Sequence, residues 1–180
     1  MTNRIKTVRS PRLILICCKN AERLIQIVSD ILNYCKYNTC IEDFSENTDF
    51  ILTSKSSLPQ LPQGVVKHTV VFDEYSGIKR ADVEGYKNGV TSYENADRLF
   101  GGDEGIVTTY SRDNYSADVT CRNISKNGDG TTSFDIINDG ILLRVQIDDS
   151  KYMVDEVLRC MAVFAATGVP LAAAVEYFKD

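Results

Sequence analysis

The sequence predicts an α/β protein: an open, mainly parallel sheet with flanking helices, followed by a C-terminal antiparallel β-meander and a two-helix segment. Three stretches carry this prediction. "RLILICC" (12–18) is a continuous apolar run that passes directly into a helical apolar period, the opening of a βα unit. "ADVTCRNISKNGDGTTSFDIINDGILLRVQI" (117–147) reads as three strands joined by two Asp-Gly turns, "KNGDG" and "NDG". "TGVP" (167–170) punctuates two apolar helices near the end of the chain.

The elements follow in order. Residues 12–18 suit a strand buried on both faces. In 20–36, Ala21, Leu24, Ile25, Val28, Ile31, Leu32 and Cys35 recur at helical spacing, with Asn20 as the expected N-cap. Short strands are expected at 40–44 and 49–53, a loop at 54–64, a strong strand at 65–72, and a short helix within 78–87 broken by Gly85. Further strands are expected at 89–93 and 106–110, separated by the Gly-rich "GGDEG". The meander strands are 117–124, 131–137 and 141–147, and helices follow at 151–167 and 171–178, with Gly168 closing the first and Pro170 starting the second. The expected organisation is a single α/β domain over 1–180, with a sheet part at 1–105 and a meander plus helix pair at 106–180.

Composition excludes several function classes. Hydrophobic residues make up 43% and charged residues 25%, which is a globular balance. The net charge of −5 disfavours a nucleic-acid partner, because phosphate binding needs a positive field. The apolar runs are too short for a membrane span or a secretory signal, so the expected location is cytoplasmic and no membrane partner is expected. The six cysteines form no CxxC pair and read as reduced thiols. No metal site is expected. A Cys35, Cys40 and His68 set is the only combination to weigh, and His68, the lone histidine, reads as a structural residue of a strand. With one histidine and no G-x-S-x-G elbow, no serine-hydrolase site is expected either.

From Ile106 onward the chain resembles the last part of the central, ATP-binding domain of the Mur ligase family, the ATP-dependent amino-acid ligases of peptidoglycan precursor synthesis. The resemblance rests on an ordered string. "IVTTYS", "SADVTCRNISKNGDGTTSFDI", "ILLRVQI" and "VLRCMAVFAATGVPLAAAVEYF" stand where the family has a strand, a hairpin, a strand and a helix pair. They cover about 75 of the 180 residues. Further back, Asn95, Ala96 and Asp97 keep three positions of the family's Asn-Ala-Asp-Asp strand end, with Arg98 in the last. "RLILICCKNAERLIQIVSDIL" occupies the place of its first strand, phosphate loop and helix.

The departures fall on the nucleotide machinery. A phosphate loop needs glycines that let backbone N–H groups turn onto phosphates, a Lys, and a Ser or Thr for Mg²⁺. Here the strand runs into "CCKNAER", without a glycine. The family's Gly-x-His/Phe-Asn-x-x-Asn signature is replaced by "SKYMVDE", with Ser150, Met153 and Glu156 at the Gly and the two Asn. The resemblance therefore implies the fold together with a degenerate, non-catalytic binding or regulatory module, with no cofactor and no catalytic residues. Two alternatives stay open: part of an active ATP- and Mg²⁺-dependent carboxylate–amine ligase completed by other domains or chains, or an unrelated α/β ligand- or protein-binding domain. The missing phosphate loop weighs against enzyme activity. Expected partners are another protein chain or a small molecule. The candidate ligand-binding residues are Lys19, Asn20, Asn95 and Asp97, at the ends of strands 12–18 and 89–93, where ligands collect in open α/β sheets.

Overall fold

A computed structural model describes residues 10–43, 47–54, 63–72, 84–97 and 106–179. Residues 1–9 lie outside this description, as do most of the expected 54–64 loop, most of the 78–87 helix and the "GGDEG" loop.

The strands are β1 (Arg12–Cys17), β2 (Thr39–Ile41), β3 (Phe50–Thr53), β4 (Val66–Phe72), β5 (Asn88–Ser92), β6 (Ile106–Ser111), β7 (Val119–Lys126), β8 (Thr131–Asn138) and β9 (Ile141–Asp148). They form one nine-stranded sheet in the order β2-β3-β1-β4-β5-β6-β7-β8-β9. Pairing is parallel from β2 through β7 and antiparallel through β7, β8 and β9. The fold is therefore α/β, with a mainly parallel sheet and a C-terminal meander. β1 lies between β3 and β4, and Leu13 to Cys17 are all buried, which is why its sequence is apolar without alternation.

The helices among the described residues are α1 (Ala21–Tyr34), α2 (Val154–Thr167) and α3 (Leu171–Glu176), and a 3₁₀ turn (Tyr177–Lys179) follows α3. Their apolar faces meet the sheet face of Ile14, Ile16, Val71, Val90, Phe134 and Val145 in one core cluster. The opposite face carries Leu15, Cys17, Val70 and Phe72, against which Tyr86 packs.

The meander is built by its turns. Asp139 and Gly140 both take positive φ (48° and 76°) between the paired residues Asn138 and Ile141. Two positive φ values match the twist of a two-residue hairpin. In the turn before β8, Gly130 has φ 83°, and Asp129 accepts hydrogen bonds from the Thr131 N–H and hydroxyl at 3.0 and 2.6 Å. β7 shifts register between Arg122 and Ser125, where Asn123 adopts φ 54°. Asn123 Nδ2 donates to Asp135 at 2.6 Å, and Arg144 binds the other oxygen of that carboxylate at 3.0 Å. These two donors hold the Asp135 carboxyl below its ordinary value.

Several expected boundaries move. Residues 117 and 118 precede β7, because the Asp118 carboxylate folds back to accept the Thr109 N–H and hydroxyl, each at 2.7 Å. α2 starts three residues later than its apolar pattern reads, since Lys151 and Tyr152 donate backbone N–H bonds back to the Asp148 carbonyl. Gly168 closes α2 at φ 73°, and Pro170 stands at the N-cap of α3 rather than inside it. Asn20 occupies the N-cap position of α1 but makes no side-chain cap bond. It lies in the left-handed region (φ 61°, ψ 37°), which turns its side chain away from the helix N–H groups.

Candidate functional site

The parallel strands β1, β5 and β6 end on the same edge of the sheet, as their register requires. Between Cys17 at the end of β1 and Ala21 at the start of α1 stand only Cys18, Lys19 and Asn20. Lys19 and Asn20 are exposed there. After β5 a 3₁₀ turn (Tyr93–Asn95) forms, and Asn95 Nδ2 donates to Ser92 Oγ at 2.8 Å. Asp97 follows, exposed. Beyond Tyr110, the Ser111 hydroxyl donates to Glu94 at 3.0 Å, binding the ends of β5 and β6 together.

The N-terminus of α2 arrives at this edge from more than 130 positions away in the chain. A cavity of about 250 Å³ opens between the two helix starts, lined by Lys19, Asn20, Leu24, Met153, Asp155, Glu156 and Arg159. Two of the expected residues, Lys19 and Asn20, thus share this cavity, whereas Asn95 and Asp97 are not among its lining.

Beside the cavity, an ion pair between the starts of α1 and α2 involves its lining residue Glu156. Arg23, in the first turn of α1, grips both oxygens of Glu156, through Nε at 2.5 Å and Nη2 at 3.1 Å. It also donates to the Lys151 carbonyl. Glu156 in turn accepts the Met153 N–H at 3.1 Å, so it completes the start of α2 while Met153 supplies no cap bond of its own. Burial pushes the Glu156 carboxyl up, but the Arg23 contacts and the Met153 N–H outweigh it, and the carboxyl stays below its ordinary value. The same hydrogen bond holds Arg23 more firmly charged. Arg159, one turn further along α2, donates through Nε to the Tyr110 hydroxyl at 2.8 Å, with its guanidinium 5.5 Å from that ring. Beneath lies the wholly buried Cys160, whose thiol burial raises.

Chemically, the edge offers two helix starts, which attract anions, but each first turn already holds carboxylates: Glu22 in α1, and Asp155 and Glu156 in α2. Among the described residues, no three His, Cys, Asp or Glu side chains gather into a metal-binding group. Cys40 Sγ lies 3.1 Å from Thr48 Oγ1, and His68 Nδ1 lies 2.9 Å from Thr69 Oγ1. Burial and the nearby Arg12 and Lys87 charges hold the His68 pKa down.

One signal for Glu156 was present in the sequence. A glutamate three residues after an N-cap position reads as half of a capping box. Nothing local linked it to Arg23.

No helix among the described residues is long and apolar enough to cross a membrane. No family profile matches the chain, and no curated protein matches its sequence. Solved structures do match its fold. MurF from Acinetobacter baumannii aligns at a TM-score of 0.69 and 10% identity, over 94% of this chain and 46% of that one. The UDP-N-acetylmuramate–alanine ligase MurC from Thermotoga maritima aligns at 0.61 and 12%, over 94% and 44%. The ligase Mpl from Neisseria meningitides aligns at 0.56 and 16%, over 96% and 67%. The fold is Mur-ligase-like, and the chain spans less than half the length of the MurF and MurC ligases.

Proposed function

We propose that this chain is a degenerate Mur-ligase-like central domain that no longer performs ligation, and that it serves as a binding or regulatory module related to the cell-wall precursor ligases. The observation that carries the reading is the Arg23–Glu156 pair across the starts of α1 and α2. In a nucleotide site of this topology, helix N–H groups and a cation face the phosphates. Here the chain's own carboxylate takes the cation and a helix N–H, and the first-turn acids face whatever approaches. A nucleoside triphosphate brings about four negative charges to a place where they meet Asp155 and Glu156. The β1–α1 turn adds to this: it has three residues and no glycine, so the Cβ atoms of Cys18, Lys19 and Asn20 stand where a phosphate would need bare backbone. The partner of such a module is another protein chain or a small molecule.

Titration with ATP and Mg²⁺ by calorimetry tests the reading. The expected dissociation constant is no tighter than roughly millimolar, about −4 kcal/mol, and Lys19→Ala leaves it unchanged. A micromolar constant weakened by Lys19→Ala overturns the proposal in favour of an active ATP-dependent ligase.

A further inference from the structure

A second, larger cleft of about 580 Å³ lies on the other side of the 151–153 segment and shares no lining residue with the first. One wall is aromatic: Tyr34 from the end of α1, Tyr152 from the approach to α2, and Tyr177 and Phe178 from the last 3₁₀ turn. These rings are fixed against one another. Tyr34 meets Tyr177 edge-to-face at 5.7 Å and 78°, Tyr152 meets Phe178 at 5.1 Å and 87°, and Tyr177 meets Phe178 at 5.3 Å and 85°. Such a wall is in place before a ligand arrives, so little side-chain freedom is lost on binding.

The facing wall is polar and comes from the β8 and β9 ends. Gln146 Nε2 donates to Thr131 Oγ1 at 2.9 Å, which leaves its amide oxygen and second N–H to a ligand. The Tyr152 and Tyr177 hydroxyls lie 3.2 Å apart, so one hydrogen serves their mutual bond and the other has no role in it. Burial and the Tyr152 contact raise the Tyr177 phenol, so it remains a protonated donor across the physiological range.

The rim charges are matched. Lys151 lies 3.6 Å from Asp148, and Lys179 lies 2.5 Å from Glu176. Among the described residues of the rim, an anion therefore finds no unmatched cation, and a cation no unmatched carboxylate. The chemistry that remains is a neutral ring with an apolar face for the aromatic wall and an edge of groups that both donate and accept. A planar heterocycle presents only two or three in-plane polar atoms. A pyranose has C–H faces and a hydroxyl rim, and it matches both walls.

We propose that this cleft is a binding site for a neutral sugar ring. The proposal does not depend on the loss of ATP chemistry at the other cavity. The test is NMR titration of the whole chain with glucose, galactose, mannose and maltose, with indole and choline as controls. The expected result is saturable shifts of the Tyr34, Tyr152, Tyr177 and Phe178 rings and of the Gln146 amide with at least one sugar, at a millimolar constant. Gln146→Ala and Tyr34→Ala, both at solvent-exposed positions and checked for native circular dichroism, are each expected to weaken that binding by about fivefold or more. Four sugars without effect at 100 mM, shifts with indole or choline alone, or sugar binding indifferent to both substitutions would each overturn it.

Discussion

Replacing Glu156 tests how the two halves of the chain are joined. Glu156→Ala removes three contacts at once: the two-point grip of Arg23 and the hydrogen bond to the Met153 N–H. The Arg23 side chain is 49% exposed and that of Glu156 14%, so the pair lies between an open surface bridge and a buried one. An exposed pair contributes about 0.2–1 kcal/mol, and loss of a helix-start acceptor costs about 1 kcal/mol. The expected loss is therefore about 1–2 kcal/mol, or a fall in Tm of a few degrees for a chain of this size. Glu156→Gln keeps an acceptor for Met153 and a neutral one for Arg23, and is expected to cost roughly half as much.

Acid dependence separates charge from shape. The Glu156 carboxyl is held below its unfolded value, so its contribution is fully present above the unfolded pKa and is lost as pH falls through the folded one. Urea unfolding followed by circular dichroism at pH 7, 5 and 3.5 reads both effects. The gap between the native chain and Glu156→Gln is expected to be widest at pH 7 and to narrow toward pH 3.5. An Ala variant within about 0.3 kcal/mol of the native chain at pH 7, or a gap that does not change with pH, would show that the pair does not hold the helix starts together.

Two further outcomes follow from the packing and the caps. Phe134→Ala empties a fully buried position in the middle of the meander and is expected to destabilise by about 3–5 kcal/mol in urea unfolding; a loss below about 1 kcal/mol would mean that β8 is not part of the main core. Gly168→Ala meets no atom within 4 Å of the added Cβ, so its whole cost is the positive φ of 73°, expected at about 1 kcal/mol; an unchanged midpoint would mean that α2 does not need its left-handed close.

Much of this fold is written locally, in the type and order of its elements though not in every boundary. β1 shows as an apolar run because it is covered on both faces. The Asp139-Gly140 turn shows because only a few residue types accept two positive φ values in succession. Gly168 and Pro170 show because one favours the left-handed close of a helix and the other cannot continue one. Each of these signals is settled within a few residues, by backbone sterics and by which faces are wet. That "CCKNAER" holds no glycine is likewise a property of the string.

The sites were not legible in this way. Asn20 carried the residue type of a side-chain cap, and the left-handed turn into α1 denied it the geometry. Reasoning about strand ends puts Asn95 and Asp97 beside Lys19; the cavity that Lys19 and Asn20 line is completed by Met153, Asp155, Glu156 and Arg159 from the start of α2. Arg23 and Glu156 are 133 positions apart, and Tyr34 and Tyr177 stand at the ends of different helical segments. Charges and aromatic rings of these types are common on any acidic α/β chain, and alone they mark nothing. Only the packing of α1, α2 and α3 on one face of the sheet brings them within bonding distance, because side-chain pairing across a core depends on tertiary geometry that no local preference encodes.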